Sequence, residues 1–233
     1  MRLEDVKALV TGGSSGIGYE VARVLSAAGG KVAISGRNEG RLREAAAAVG
    51  ASAVPGDVSV EADCVRMVRQ TIDALGDYNV LVNNAGIGTF APLLETTAAD
   101  MRRVWETNVL GATLVARESA RHFVARNGGN IINIGSTSGL RAGAGSSAYA
   151  STKFALRALT ESWRAELRTH GVRVMLLNPS EVVTEFAQRA GHAQQDNPSK
   201  LRPGEIADAV VGMLTMDDRG FIPELSVWAT NPK

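Results

Sequence analysis

Short apolar runs alternate with longer stretches of helical period along the whole of this chain, and that alternation restricts the fold more than any other feature. The apolar runs lie at 8–11, 32–35, 51–54, 80–82, 131–134 and 174–177, with a last short one at 225–228, and Gly, Asn or Pro bounds them. Between them, helical period runs over 17–28, 39–49, 61–75, 99–127, 148–170 and 203–214. Strands separated in this way pair parallel, because a parallel connection needs about a dozen residues or more, and right-handed crossovers put helices on both faces. The expected fold class is α/β, a doubly wound parallel sheet of about seven strands in one domain spanning 1–233. No linker, repeat or low-complexity tract divides it. The least patterned stretch, 180–202, is polar and contains Gly191 and Pro198. It follows the sixth strand at the sheet edge where open α/β sheets bind ligands, so a substrate-side lid is expected there.

Charge and cysteine content exclude several classes of function. The 25 basic and 24 acidic residues leave a net charge of +1, which offers no broad cationic field for nucleic acid or an anionic membrane. No run approaches the roughly 18 apolar residues of a spanning helix. A single Cys64 cannot form an internal disulfide, and the start, Met1 to Asp5, lacks the apolar stretch of a signal peptide. A soluble, cytoplasmic protein is expected. His122, His170 and His192 are far apart and show no zinc-ligand spacing, so no metal is expected.

The first strand runs into Thr11-Gly12-Gly13-Ser14-Ser15-Gly16-Ile17-Gly18, a glycine turn that opens a helix. This is the context in which such a turn cradles a dinucleotide. Gly12 permits the tight turn, Gly16 lets backbone approach a pyrophosphate, and Gly18 allows close helix–strand packing. The amides of Ser14, Ser15, Gly16 and Ile17 then face the anion at the helix start. The fold is therefore Rossmann-like. The second strand ends in Ser35-Gly36-Arg37-Asn38, without the acidic residue that would bond a ribose 2′-hydroxyl. Arg37, helped by Ser14, Ser35 or Asn38, can instead grip a 2′-phosphate, which makes NADP(H) the expected cofactor in preference to NAD(H). Past the third strand, Asp57 and Val58 are placed to border the adenine, although Asp57 can equally cap the next helix.

Tyr149 and Lys153 stand four apart on one helix face. A phenol with a pKa near 10 is too weak an acid at neutral pH, but an adjacent cation can lower it by about 1 to 3 units. Tyr149 then becomes a usable general acid and base.

These motifs together resemble the short-chain dehydrogenase/reductase family, in its shorter, single-domain form. Thr11 to Gly18 is similar to the family's cofactor turn, Asn83-Asn84-Ala85-Gly86 to its segment after the fourth strand, and Tyr149 with Lys153 to its Tyr-x-x-x-Lys pair. Ser136, thirteen residues before Tyr149, matches the catalytic serine, with Ser138 as the alternative, and Asn108 matches the catalytic asparagine. The resemblance implies that Tyr149 passes the proton, Lys153 holds the nicotinamide ribose, Ser136 bonds the substrate oxygen and Asn108 supports a proton-relaying water. From its residue type alone, Asn108 can equally bond backbone where a helix is distorted. Asn84, Ala85 and Gly86, and Pro179, Val182 and Thr184 after the sixth strand, are implied cofactor contacts. Ser180 stands where the family usually has glycine, which would be strained if the position needs positive φ.

The implied activity is hydride transfer between a carbonyl and a secondary alcohol on a small molecule. A sensor that binds NADP(H) without catalysis is the alternative, and the intact proton-relay set argues against it. The family also pairs its long helices between subunits, so a homodimer or homotetramer is implied. Trp105 and Trp163 then fall either at that interface or in the core.

Overall fold

The computed structural model describes residues 1–191 and 197–231. Seven strands form one parallel sheet in the order β3-β2-β1-β4-β5-β6-β7. They are β1 (Lys7–Thr11), β2 (Lys31–Gly36), β3 (Ser52–Pro55), β4 (Val80–Asn83), β5 (Gly129–Ile134), β6 (Val172–Pro179) and β7 (Glu224–Val227). The helices are α1 (Gly16–Ala27), α2 (Glu39–Val49), α3 (Glu61–Leu75), α4 (Ala98–Trp105), α5 (Ala112–Ala125), α6 (Ser147–Leu167), α7 (Glu185–Arg189) and α8 (Pro203–Thr215).

The period-2 alternation of each strand separates two cores. Ala8, Val10, Val32, Ile34, Val80 and Val82 face α1, α2 and α8, where Leu25, Leu42, Ile206 and Met213 are buried. Leu9, Ala33, Leu81, Ile131 and Val174 face the other way, onto Met67 of α3 and Phe123 of α5. Trp163 of α6 is partly buried and packs against the edge of this second core. Because β1 has β2 on one side and β4 on the other, the winding direction reverses between β1 and β4, and ligands collect at the carboxyl ends beside such a switch point.

Four expectations need correction. The segment 99–127 is not one helix: a π-helical turn at Glu106–Gly111 separates α4 from α5. The helix expected over 148–170 closes as α6 at Leu167, followed by one 3-10 turn, Arg168–His170. Within 180–202, α7 and a parallel bridge between Val182 and Leu201 are ordered structure; residues 192–196 of this segment, including His192, lie outside the described residues. Ser180 is not strained, since Asn127 is the non-glycine residue with positive φ among the described residues. The Ser180 amide instead donates to the Val227 carbonyl at 2.8 Å and extends the edge of β6.

Candidate active site

The glycine turn is built as its sequence requires. Gly12 and Gly16 sit at φ +64° and +57°, the left-handed region. A Cβ on Gly18 would lie 2.6 Å from the Gly12 carbonyl oxygen and 2.5 Å from Asn84 Nδ2, so only glycine lets α1 start this close to β1 and β4. Gly13 is a further requirement that the sequence did not reveal, because a Cβ there would lie 2.6 Å from Ile34 Cβ on β2. Ser15 is the N-cap of α1 and makes no side-chain cap bond. The first-turn amides of α1 therefore have no capping side chain of their own and suit an anion.

The segment Asn83 to Gly86 locks this turn to β4. Thr11 Oγ1, fully buried, accepts from the amides of both Asn84 and Ala85 at 2.9 Å. The Asn84 side chain donates to the carbonyls of Thr11 at 2.9 Å and Gly12 at 3.3 Å. Asn84 thus shapes the cradle through its side chain. Thr11 was legible as part of the motif but not as its clamp.

At the end of β2, Arg37 is largely exposed, with Nη1 3.7 Å from Asp57 Oδ2. The Ser35 hydroxyl is buried with no hydrogen-bond partner among the described residues. The Ser14 Oγ lies 3.5 Å from where a Cβ on Gly36 would stand, so Ser14 closes this corner. The Asn38 Oδ1 accepts from the Arg41 amide at 3.0 Å and caps α2. Asp57 does not cap α3. Its Oδ1 accepts from the Ser59 amide at 2.9 Å, while the N-cap of α3 is Val60. Val58 is buried in the second core, behind Asp57, and Gly111 packs against it.

The phenol, the hydroxyl and the ammonium meet above β5. Ser136 starts the 3-10 turn after β5, and its Oγ accepts from the Ser138 amide at 3.1 Å. The hydroxyl that pulls on the Tyr149 oxygen is Ser136's. On α6, Lys153 Nζ stands 5.7 Å from the Tyr149 ring centre and donates to the Ile134 carbonyl at 2.8 Å. Both groups are buried. Burial decides their acidity: it pushes the Tyr149 phenol up to about 12, opposed by the Ser136 hydrogen bond, and takes Lys153 down to about 8. The lowering of Tyr149 expected from Lys153 is thus not seen: burial raises the phenol, and the group that draws it down is the Ser136 hydroxyl. The surroundings explain this, since Phe90 and Phe186 pack on the tyrosine ring and keep from the phenolate the water that would solvate it.

Asn108 lies in the π turn and is 1% exposed. Its Oδ1 accepts from the Ile87 amide, and its Nδ2 donates to the Ile87 carbonyl, both at 2.9 Å, and to Thr152 Oγ1 at 3.0 Å. Its side chain is consumed in tying the loop after β4 to the residue before Lys153.

The segment after β6 covers the glycine turn. Pro179 ends β6 beside Val227, Val182 bridges to Leu201, and Thr184 caps α7 by accepting from the Phe186 amide at 3.3 Å. The Thr184 methyl would lie 3.3 Å from a Cβ on Gly16, so Thr184 stands over the anion cradle. Glu185 pairs with Arg41 of α2 at 2.6 Å, and Arg189 reaches Ser15 Oγ at 3.4 Å. Neither Arg41 nor Phe186 was singled out in the sequence; a charge-complementary pair 144 residues apart leaves no local signal.

The free first-turn amides, the two left-handed glycines, the orphaned Ser35 hydroxyl and Arg37 together fit a dinucleotide lying across the carboxyl ends of β1 and β4. A sequence profile of the short chain dehydrogenase family matches residues 6–195. The chain belongs to that family. As a short-chain dehydrogenase it is an oxidoreductase, and its relatives carry that description: it is 34% identical over 223 residues to the uncharacterized oxidoreductase YxnA of Bacillus subtilis, covering 90% of this chain and 63% of that relative's own length. Among solved structures, an alcohol dehydrogenase from Thermococcus sibiricus complexed with 5-hydroxy-NADP superposes with a TM-score of 0.88 at 27% identity, over 97% of this chain and 98% of the other. The 3-ketoacyl-(acyl-carrier-protein) reductase of Brucella melitensis complexed with NADH superposes with a TM-score of 0.89 at 26% identity, over 96% of each chain. Both nicotinamide cofactors therefore occur on this fold among its neighbours.

Among the described residues, no group of three or more His, Cys, Asp or Glu is arranged to hold a metal, and no helix is long and apolar enough to cross a membrane.

Proposed function

We propose that this short-chain dehydrogenase interconverts a carbonyl and a secondary alcohol on a small molecule, using NADP(H) in preference to NAD(H), with Tyr149 as the general acid and base. The observation that carries the reading is the convergence of Tyr149, Ser136 and Lys153 at the end of β5, next to the glycine turn.

When bound, the nicotinamide dinucleotide supplies or accepts the hydride. The backbone amides of Ser14 to Ile17, with Gly12, Gly16 and Gly18 leaving room, would hold its phosphates, and Ala85, Gly86, Pro179, Val182 and Thr184 would border the rest. Ser14, Ser35 and Arg37 would take the 2′-phosphate, and Asp57 and Val58 the adenine side. In the reductive direction the Tyr149 hydroxyl donates its proton to the substrate oxygen as negative charge grows there. The Ser136 hydroxyl donates a second hydrogen bond to that oxygen. The Lys153 ammonium, anchored on Ile134, favours the phenolate that Tyr149 becomes and so eases the transfer. Asn108 holds the Ile87 and Thr152 backbone and side chain about this centre, which makes it a positioning residue. In the oxidative direction the same proton returns to Tyr149.

The NADP(H) preference rests on a strand end that offers a guanidinium and hydroxyls where a ribose-binding acid would otherwise stand. Titration of the protein with NADPH and NADH should give at least tenfold tighter binding of NADPH, reversed by Arg37→Asp; equal affinities would remove the preference. Tyr149→Phe should cut turnover by about a hundredfold or more, as expected for loss of a general acid, while NADPH still binds. We further place the enzyme in the cytoplasm as a homodimer or homotetramer, on the exposed apolar face of α4 and the π turn.

A further inference from the structure

The residues around Tyr149 point to the chemical class of the substrate. Its ring is flanked by Phe90 from the loop after β4, with centres 5.4 Å apart and planes tilted by 48°, and by Phe186 of α7, at 5.5 Å and 56°. Both phenylalanines reach over Gly88, where a Cβ would meet Phe186 Cζ at 2.8 Å and Phe90 Cε2 at 2.9 Å. Gly88 therefore exists to let the two rings close together. The reacting phenol is 9% exposed, and its cover is aromatic.

Several charged side chains on the described neighbouring segments are engaged away from this cluster. On the described part of the lid, Glu185 and Arg189 face α2 and Ser15, and Glu181 pairs with Lys200 at 2.6 Å. Arg103, which reaches the loop after β4 through Thr89 at 2.8 Å, is also engaged by Asp100. That loop contains Ile87, Phe90, Ala91 and Pro92 and ends in Leu93 and Leu94, which are 79% and 98% exposed. Ala91 bonds to Gly145 at 2.9 Å, so the loop is joined to the 140–146 stretch, whose one ionisable side chain is the exposed Arg141.

We propose that the substrate is an uncharged ketone or secondary alcohol with a flat apolar body, aromatic or alicyclic, held beside Tyr149 against Phe90 and Phe186. An apolar ring entering here trades one aromatic contact for another, whereas a carboxylate or phosphate on the substrate would be desolvated beside three rings that offer it no partner among the described residues. Phe186 rides on α7, so the side of the site that admits the substrate is also the side that selects it. This rests on the carbonyl-reductase reading above and adds the class of molecule reduced.

The test compares 4-methylacetophenone with 4-acetylbenzoate, which share one aryl ketone frame and differ in the para substituent, an uncharged methyl group against a charged and larger carboxylate. With NADPH, the methyl compound should be reduced with kcat/KM at least a hundredfold higher. Phe186→Ala should raise its KM about tenfold with a much smaller change in kcat, Phe186→Leu should recover most of that loss, and Arg141→Ala should leave the preference unchanged. Comparable or faster turnover of 4-acetylbenzoate, abolished by Tyr149→Phe, would overturn the apolar class and leave the carbonyl reading intact. The same class falls if Phe186→Ala leaves KM unmoved, or if a preference for the carboxylate disappears in Arg141→Ala. Reduction of neither ketone by protein that demonstrably binds NADPH would overturn both the class and the reading beneath it.

Discussion

At the scale of single residues, the site sets burial against charge, and the balance has a sign that a pH profile reads directly. Lys153 is buried with one ammonium proton on Ile134, and desolvation takes it from its ordinary 10.5 to about 8. Tyr149, pushed up to about 12, remains a phenol throughout the neutral range. The carbonyl-reducing rate should therefore be flat below about pH 8, where Lys153 is an ammonium, and fall above it as that proton leaves. In Lys153→Met the rate should drop by about a hundredfold or more, and this descending limb should vanish with it. A kcat/KM profile with its alkaline limb unchanged in Lys153→Met would assign the limb to another group. The same shift bears on stability. Because the folded Lys153 binds its proton more weakly than the unfolded one, its contribution is fully present above 10.5 and is lost as pH falls through about 8. The residue types of this centre were legible because their spacing on one helix guarantees proximity. Their acidity was not, because it is set by burial, and the rings that cover Tyr149, Phe90 and Phe186, come from two distant segments.

Elements position those residues, and here sequence and structure part for definite reasons. The segment 99–127 shows apolar residues at helical spacing throughout, and a π turn inserts a single residue into that register without a marker of its own. The turn places Asn108 against Ile87 and Thr152, so the break fixes the loop after β4 to α6 just before Lys153. Asn38, expected at a phosphate site from its position after β2, also caps α2 through Oδ1, and a cap acceptor and a donor to phosphate can come from the same side chain at a strand-to-helix junction. The lid helix is the element whose attachment is most exposed. Arg41 holds the Glu185 carboxylate below its usual range and Arg189 assists, but these groups are about half exposed, and such pairs contribute only about 0.2 to 1 kcal/mol each. Glu185→Gln should therefore leave the global unfolding midpoint nearly unchanged while amide exchange in α7 quickens several-fold. Hydrogen exchange of the two proteins decides this, and equal exchange rates in α7 would show that the ion pairs do not hold it.

For the molecule as a whole, the parallel order and its switch point followed from the alternation of strands and helices, because chain connectivity and handedness leave few other arrangements. What encloses the sheet also leaves something over. Both faces of the sheet are covered, yet Trp105 is 38% exposed, Leu110 47% and Phe154 42%, and Trp163 is only partly buried against the second core. Trp105, Val109, Leu110 and Leu159 line a shallow groove of about 360 Å³ between the π turn and α6. A second groove of about 540 Å³, between α5 and α6, is walled by Ala116, Ala120 and Trp163 with Arg117, Arg121 and Glu166 at its edges. Apolar walls with a charged rim are what a self-complementary interface of roughly 800 Å² per partner needs, and a net charge of +1 scarcely opposes association. Sedimentation velocity at micromolar concentration should accordingly show a dimer or tetramer of the 24.5 kDa chain. Leu110→Glu, which puts a carboxylate on an exposed position at the centre of that face, should shift it toward monomer without unfolding it, as circular dichroism would verify. If the unmodified protein sediments as a monomer at tens of micromolar, the exposed face has some other use and the enzyme works as a single chain.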